Sequence, residues 1–185
     1  MPLILITGCM FSGKTTELFA YVEQVEKEGQ SWVIFKKNID TRYSKDHACS
    51  HNQVQKKATS TENLMNVLSE TKQHDMIAVD EGQFFSDLVP FCEELVKEGK
   101  TVVVSALNAD YKNQPFPVVS ALSSLEYTEI IEKKAECQYC KQENATCSIL
   151  KDQPDMSATS ESFIIGGAES YCAACIECRN KLVNK

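Results

Sequence analysis

The sequence predicts an α/β protein: a mostly parallel sheet flanked by helices, followed by a small cysteine-rich unit. Three observations carry that reading. Short, continuously apolar runs alternate with amphipathic stretches through residue 134. A glycine-rich loop follows the first apolar run and leads into a helical pattern. Six of the nine cysteines fall between Cys137 and Cys178.

The elements follow in order. Leu3-Ile4-Leu5-Ile6-Thr7 is apolar throughout and stops at Gly8, as a strand buried on both faces does. Leu18, Val22 and Val25 recur at helical spacing, and Gly29 ends the helix. Trp32 to Phe35 is a second strand. Residues 37–58 are polar without a period and read as a long loop. Ser60 or Thr61 is expected to cap a short helix with Leu64, Val67 and Leu68 inward. Met76 to Val79 is the third strand. Ser86-Asp87 opens a helix with Leu88, Phe91, Cys92, Leu95 and Val96 on one face, closed by Gly99. Thr101 to Ala106 is the fourth strand and 127–134 the fifth. Beyond Ala135 the periodicity fades, which divides the chain into a domain at 1–134 and a smaller one at 135–185.

Composition bounds the function. The 185 residues are 43% hydrophobic and 24% charged, the proportions of a globular protein large enough for one core and an appendage. With 26 acidic against 19 basic side chains the net charge is −7, which argues against nucleic acid as a partner. No apolar run approaches the roughly 20 residues of a membrane span. The segment Met1 to Gly8 has neither a basic leader nor a small-residue cleavage site, so a cytoplasmic protein is expected.

Gly8-Cys9-Met10-Phe11-Ser12-Gly13-Lys14-Thr15 fits the phosphate-binding loop G-x-x-x-x-G-K-[ST]. Its backbone N–H groups and the positive end of the following helix surround phosphates. Lys14 then reaches the β/γ-phosphates, and the Thr15 hydroxyl ligates Mg²⁺. The third strand runs into Asp80-Glu81. A carboxylate at that strand tip suits Mg²⁺ at Asp80, and Glu81 beside it can accept a proton from an attacking hydroxyl or water. The competing reading is that both acids cap the helix near Ser86.

An odd cysteine count, no secretion signal and paired Cys-x-x-Cys spacings argue for metal over disulfides. Cys137/Cys140 and Cys175/Cys178 form two knuckles for a closed, structural Zn²⁺ site. Cys172-Ala173-Ala174-Cys175 has the same spacing, so Cys172 rivals them as a ligand. Weaker signals surround these. Arg42, in Asp40-Thr41-Arg42-Tyr43, lies in the long loop, where a lone arginine is commonly a solvated charge. Phe84 and Phe85 after Gln83 are either core or a wall for a planar ligand. Ile164-Ile165-Gly166-Gly167-Ala168 is either a hairpin or backbone that comes close to a ligand. His47, His51 and His74 have no metal spacing and read as loop or surface.

Together these segments resemble the small zinc-containing thymidine kinases of animals, bacteria and large DNA viruses. The resemblance runs through GCMFSGKTT at Gly8–Thr16, DTRYS at Asp40–Ser44 with His51 beyond it, and DEGQFF at Asp80–Phe85. It continues through Pro115-Phe116, the first knuckle, Gly166-Gly167-Ala168 with Tyr171, and the second knuckle. It implies a P-loop NTPase core with a zinc-binding lasso covering the nucleoside, and transfer of the γ-phosphoryl group of ATP to the 5′-hydroxyl of thymidine and deoxyuridine. Glu81 is then the general base, with Lys14 and Arg42 on the transferring phosphoryl. The ATP and Mg²⁺ site comprises Gly8 to Thr16, Asp40, Thr41, Arg42, Asp80 and Gln83. The nucleoside site comprises Met10, Glu81, Phe84, Leu107, Tyr111, Phe116, the backbone of Ser162, Phe163, Ile164, Ile165 and Gly166, and Tyr171. The resemblance further implies a homotetramer inhibited by thymidine triphosphate.

Three stretches depart from the family pattern. The segment usually written LDGTFQRKPF is here Leu107 to Phe116, with Asn108 and an added charge at Asp110. A usual Thr-Lys-Arg after the first knuckle appears as Cys147-Ser148-Ile149, and the interval before Gly166 is longer. These bear on base selectivity and lid geometry. The alternative function is a P-loop ATPase or nucleotide-regulated protein whose zinc knuckle binds a partner. A paralogue without activity fits less well, because Lys14, Thr15, Asp80 and Glu81 are all present.

Overall fold

A computed structural model describes residues 3–38, 47–49, 54–151 and 166–183. In chain order these form β1 (Leu3–Gly8), α1 (Lys14–Lys27), β2 (Trp32–Lys37), β3 (His47–Cys49), β4 (Gln55–Lys57) and β5 (Thr59–Thr61). A 3₁₀ run at Leu64–Gln73, β6 (Met76–Asp80), α2 (Leu88–Lys97), β7 (Thr101–Leu107), α3 (Pro117–Ser123) and β8 (Thr128–Lys133) follow. The chain continues through β9 (Cys147–Leu150), β10 (Tyr171–Ala174) and α4 (Ile176–Val183).

Among the described residues, six strands form one sheet in the order β5-β2-β6-β7-β1-β8. Every pairing in it is parallel. Apolar residues on successive positions feed opposite faces, so each face has its own core. Ile4, Ile6, Ile34, Met76, Ala78 and Val103 meet Leu18, Phe19, Val22 and Val25 of α1. Leu3, Leu5, Phe35, Ile77, Val79, Val102 and Val104 meet α2, α3 and the 3₁₀ run. Phe35 and Phe91 join there edge to face, with ring centroids 6.1 Å apart.

The sheet has one strand more than the sequence predicts. Thr59–Thr61, expected as the approach to a helix cap, pairs with Phe35–Lys37 as a short edge strand. Thr61 then turns the chain, its Oγ1 donating to the Asn63 carbonyl and accepting the Asn63 N–H. The residues beyond it form a 3₁₀ run in place of the expected helix, although Leu64 and Val67 do point inward. Parts of the polar stretch 37–58 form strands as well. His47–Cys49 and Gln55–Lys57 pair antiparallel, and Ala48 and Ala58 fill the α1-side core. His47 opens β3, His74 follows the 3₁₀ run half-buried, and His51 lies outside the described residues.

A third, smaller core lies beyond β8. Ala135, Cys137, Ala145, Ile149, Cys172, Ala173, Ala174 and Cys175 pack around the antiparallel β9–β10 hairpin and enclose Cys9 of the glycine-rich loop.

Phe91 is fully buried between helix and sheet. Phe91→Ala is expected to cost about 3–5 kcal/mol in urea unfolding, with the slope against denaturant unchanged.

Candidate active site and metal centre

The C-terminal ends of β1, β6 and β7 meet at one edge of the sheet, and each delivers part of the site. After β1 the chain turns through Gly8, Phe11 at φ 66° and Gly13 at φ 80° before α1 begins at Lys14. A side chain at Gly8 would collide with the Lys133 carbonyl of the neighbouring β8, so only glycine fits. The Cys9 carbonyl accepts hydrogen bonds from Ser12 Oγ at 2.8 Å and Lys14 Nζ at 2.7 Å. Lys14 is only 8% exposed. Burial lowers its pKa, and the negative charges of Glu81 and Asp80 oppose that shift. Thr16 faces solvent on the first turn of α1.

Asp80 ends β6 with 6% exposure. Its Oδ1 accepts from Thr15 Oγ1 at 3.1 Å and from Ser105 Oγ on β7. Burial, reinforced by the Glu81 charge, pushes its pKa up to about 6, while the two hydroxyls and Lys14 pull it down. The next residue, Glu81, leaves the sheet in the left-handed region at φ 55° and is half-exposed. Gln83 fixes it from below, since its Nε2 donates to Glu81 Oε2 while its Oε1 accepts the Leu107 N–H at 2.9 Å. Neither acid caps α2, whose N-cap is Asp87, beyond the 3₁₀ turn Gly82–Phe84.

The two aromatics divide. Phe85 is fully buried in the core, whereas Phe84 is half-buried at the site edge. Leu107 and Tyr111 are half-buried, with Lys112 Nζ 5.5 Å from the Tyr111 ring centre. Phe116 sits in the core at the start of α3. Asp110, the extra charge in this stretch, closes a turn: its Oδ1 accepts the Gln114 N–H at 2.8 Å. Tyr171 is buried in β10, and its ring passes beside Gly166. Asp40, Thr41, Arg42, Ser162, Phe163, Ile164 and Ile165 lie outside the described residues.

Side-chain contacts that the sequence alone does not reveal tie these segments together. Ser105 reaches Asp80, Ser148 Oγ accepts the Met10 N–H at 3.0 Å, and Asn108 Nδ2 donates to the Thr146 carbonyl at 3.0 Å. Cys9 Sγ donates to the Ala145 carbonyl at 3.3 Å, joining the glycine-rich loop to the third core. A hydroxyl inside Thr-Val-Val-Val-Ser-Ala-Leu was the one visible signal, because a serine in a buried strand needs a partner.

The sulfurs of Cys137, Cys140, Cys175 and Cys178 lie within 4.8 Å of one another. Tetrahedral zinc–sulfur bonds of about 2.3 Å put sulfurs about 3.8 Å apart, and Cys140 and Cys175 are separated by 3.9 Å. Burial acts to raise the Cys137 pKa, but backbone hydrogen bonds from Cys140, Cys175 and Tyr139 outweigh it and draw it down to about 6. A thiolate stabilised in that way suits a zinc ligand. Cys172 is on β10 with its Sγ 3.6 Å from the Tyr139 hydroxyl, apart from the cluster. The cluster thus takes in Cys175 and Cys178 and leaves out Cys172, and its four cysteines fit a closed zinc site.

A parallel sheet with a glycine-rich loop entering α1, and an aspartate at the tip of the strand two places along the sheet from β1 bonded to the loop's threonine, defines a P-loop nucleotide-binding protein. The chain belongs to the thymidine kinase family, whose model matches residues 1–179. It is 37% identical to a thymidine kinase of Pseudothermotoga lettingae over 99% of this chain and 97% of that relative. It is 33% identical to the thymidine kinase of Raccoon poxvirus, covering 94% of each. It is 34% identical to the human cytosolic thymidine kinase, over 94% of this chain and 70% of that one. Among the described residues no helix is long and apolar enough to cross a membrane.

Two outcomes are expected from this geometry. Cys140→Ser or Cys178→Ser should abolish stoichiometric zinc by elemental analysis and lower the melting temperature, as a strong chelator should for the wild type, whereas Cys172→Ser should retain the metal. Asp80 has its pKa raised from 3.8 to about 6 on folding. Its contribution is therefore favourable below pH 3.8 and is lost as pH rises through about 6, on the order of 2–3 kcal/mol. Asp80→Asn should accordingly raise the stability of the nucleotide-free protein at pH 7 and flatten its pH dependence between 4 and 6 in thermal unfolding.

Proposed function

We propose that this protein is a thymidine kinase that transfers the γ-phosphoryl group of ATP to the 5′-hydroxyl of thymidine, and of deoxyuridine, which lacks only the methyl group. The observation that carries the reading is the grouping of Lys14, Asp80 and Glu81 at one sheet edge in a chain of that family. Glu81 is clamped by an amide whose other end is anchored to the Leu107 backbone.

The loop Gly8 to Thr16 holds the phosphates, and Lys14 exchanges the Cys9 carbonyl for phosphate oxygens. Thr15 and Asp80 would hold Mg²⁺, which supplies charge neutralisation on the phosphates when bound. Glu81 takes the proton of the 5′-hydroxyl, whose oxygen then bonds to the γ-phosphorus. The bond from that phosphorus to the bridging oxygen breaks, and ADP leaves. Gln83 keeps the Glu81 carboxylate turned towards the site, so little reorganisation accompanies proton transfer.

The remaining assignments follow the resemblance. Arg42, with Asp40 and Thr41, serves the transferring phosphoryl group. Met10, Phe84, Leu107, Tyr111, Phe116 and Tyr171 line the nucleoside site with the backbone of Ser162 to Gly166. Residues 1–134 form the nucleotide-binding domain, and 135–185 form a lasso held by structural Zn²⁺ that covers the nucleoside and excludes water. Family likeness supports a cytoplasmic homotetramer restrained by thymidine triphosphate. The charge balance weighs against nucleic acid as a partner.

The test is ADP release from Mg·ATP with thymidine, deoxyuridine, deoxycytidine or deoxyguanosine. Thymidine and deoxyuridine should stimulate it, and Glu81→Gln should slow turnover by about 10²–10⁴ with ATP affinity retained. Turnover independent of any nucleoside would transfer the case to the ATPase reading.

A further inference from the structure

Ser105 has no place in the chemistry above, yet it is only 1% exposed. Its neighbours along β7 are valine, alanine and leucine. A hydroxyl buried in such a strand is unfavourable unless it is hydrogen-bonded, and its bond goes to Oδ1 of Asp80. The two residues lie on adjacent central strands. Val79 pairs with Val104, so Asp80 and Ser105 occupy the next rung. Ala78 and Val103, two residues earlier on each strand, both face α1, so Asp80 and Ser105 share that face with Thr15.

We propose that Ser105 is a positioning residue for metal-dependent nucleotide binding: it fixes Oδ1 of Asp80 so that Oδ2 is presented to the divalent cation carried by the phosphates. The proposal rests on the assignment of Asp80 to that cation.

The two donors to Oδ1 differ in what else they must do. Thr15 belongs to the glycine-rich loop and helix start, and its oxygen is itself a candidate cation ligand. Ser105 is held by parallel neighbours on both sides and has no second task. Oδ2 has no hydrogen bond to the described residues. With Ser105 in place the carboxylate cannot turn about its Cβ–Cγ bond without breaking a buried hydrogen bond, so its two oxygens stay distinct. Without it, only Thr15 would define the orientation, at the moment when Thr15 also meets the cation.

Ser105→Ala and Ser105→Thr in the full chain decide the matter by equilibrium titration with ATP, without nucleoside, in excess Mg²⁺ and in EDTA. Ser105→Ala should weaken Mg·ATP about tenfold, as expected for loss of a hydrogen bond to a charged group, and leave metal-free ATP affinity unchanged. The half-saturating Mg²⁺ concentration for thymidine-dependent ADP release should rise by a similar factor, with kcat at saturating Mg²⁺ retained. Ser105→Thr, which keeps the hydroxyl, should restore both. Equal loss of affinity with and without Mg²⁺ would reduce Ser105 to a structural role and overturn the proposal, as would no loss in either. Because the titration uses no nucleoside, it decides Ser105 even if thymidine fails to stimulate turnover, a result that would overturn the kinase reading instead.

Discussion

Because β6, β7 and β1 pair in parallel and in register, three stretches distant in sequence leave the sheet at the same edge. The glycine-rich loop follows β1, Asp80-Glu81 ends β6, and Leu107 ends β7. The polar contacts that join these strands depend on that alignment: Thr15 and Ser105 on Asp80, and Gln83 between Glu81 and the Leu107 N–H. Slipping one strand by a single residue would exchange its faces, sending Asp80 towards the α2 side and a valine towards α1. The two cores prevent that slip, since Met76 and Ala78 fit only the α1 side while Ile77 and Val79 fit the other.

Within that frame the site is held against its own stability. Lys14 and Asp80 are both buried, and burial disfavours the charge on each. Their mutual attraction and the hydroxyls on Oδ1 compensate in part, and the Cys9 carbonyl occupies Lys14. On the proposed function, phosphates and their cation would bring opposite charge to both groups, so ligand affinity and protein stability would be coupled. Glu81 differs in kind. It is half-exposed and oriented by a hydrogen bond, as would suit the general base of the proposed reaction.

The parts legible in the sequence were those whose chemistry is local. The glycine-rich loop, the Asp-Glu pair after an apolar strand and the Cys-x-x-Cys knuckles each declare themselves within a few residues. The strands did likewise where they were central and apolar. Thr59–Thr61 is not legible because an edge strand of three hydroxyl residues has no apolar run to announce it, and β3–β4 is hidden in polar sequence for the same reason. Spacing alone does not choose between Cys172 and Cys178 as the partner of Cys175. The fold separates them, with Cys172 meeting Tyr139 while Cys178 joins the cluster. Ser105 and Ser148 were illegible because their partners stand 25 and 138 positions away.

The metal unit and the glycine-rich loop are best understood as one mechanical body. Cys9 is packed among the residues that surround the zinc ligands, its thiol bonded to Ala145, and the next residue donates its N–H to Ser148. Asn108, one of the departures from the family pattern, bonds the Thr146 carbonyl from the other side and so closes the ring between β7, the loop and β9. Asp110, which looked like a charge intruding on a base pocket, is consumed in shaping its own turn. The carbonyl of the following Lys112 accepts a hydrogen bond from Arg179 of α4. The divergent segments thus carry their own compensating contacts. The four-cysteine cluster flanks the β9–β10 pair, and that pair is joined to the glycine-rich loop through hydrogen bonds and packing.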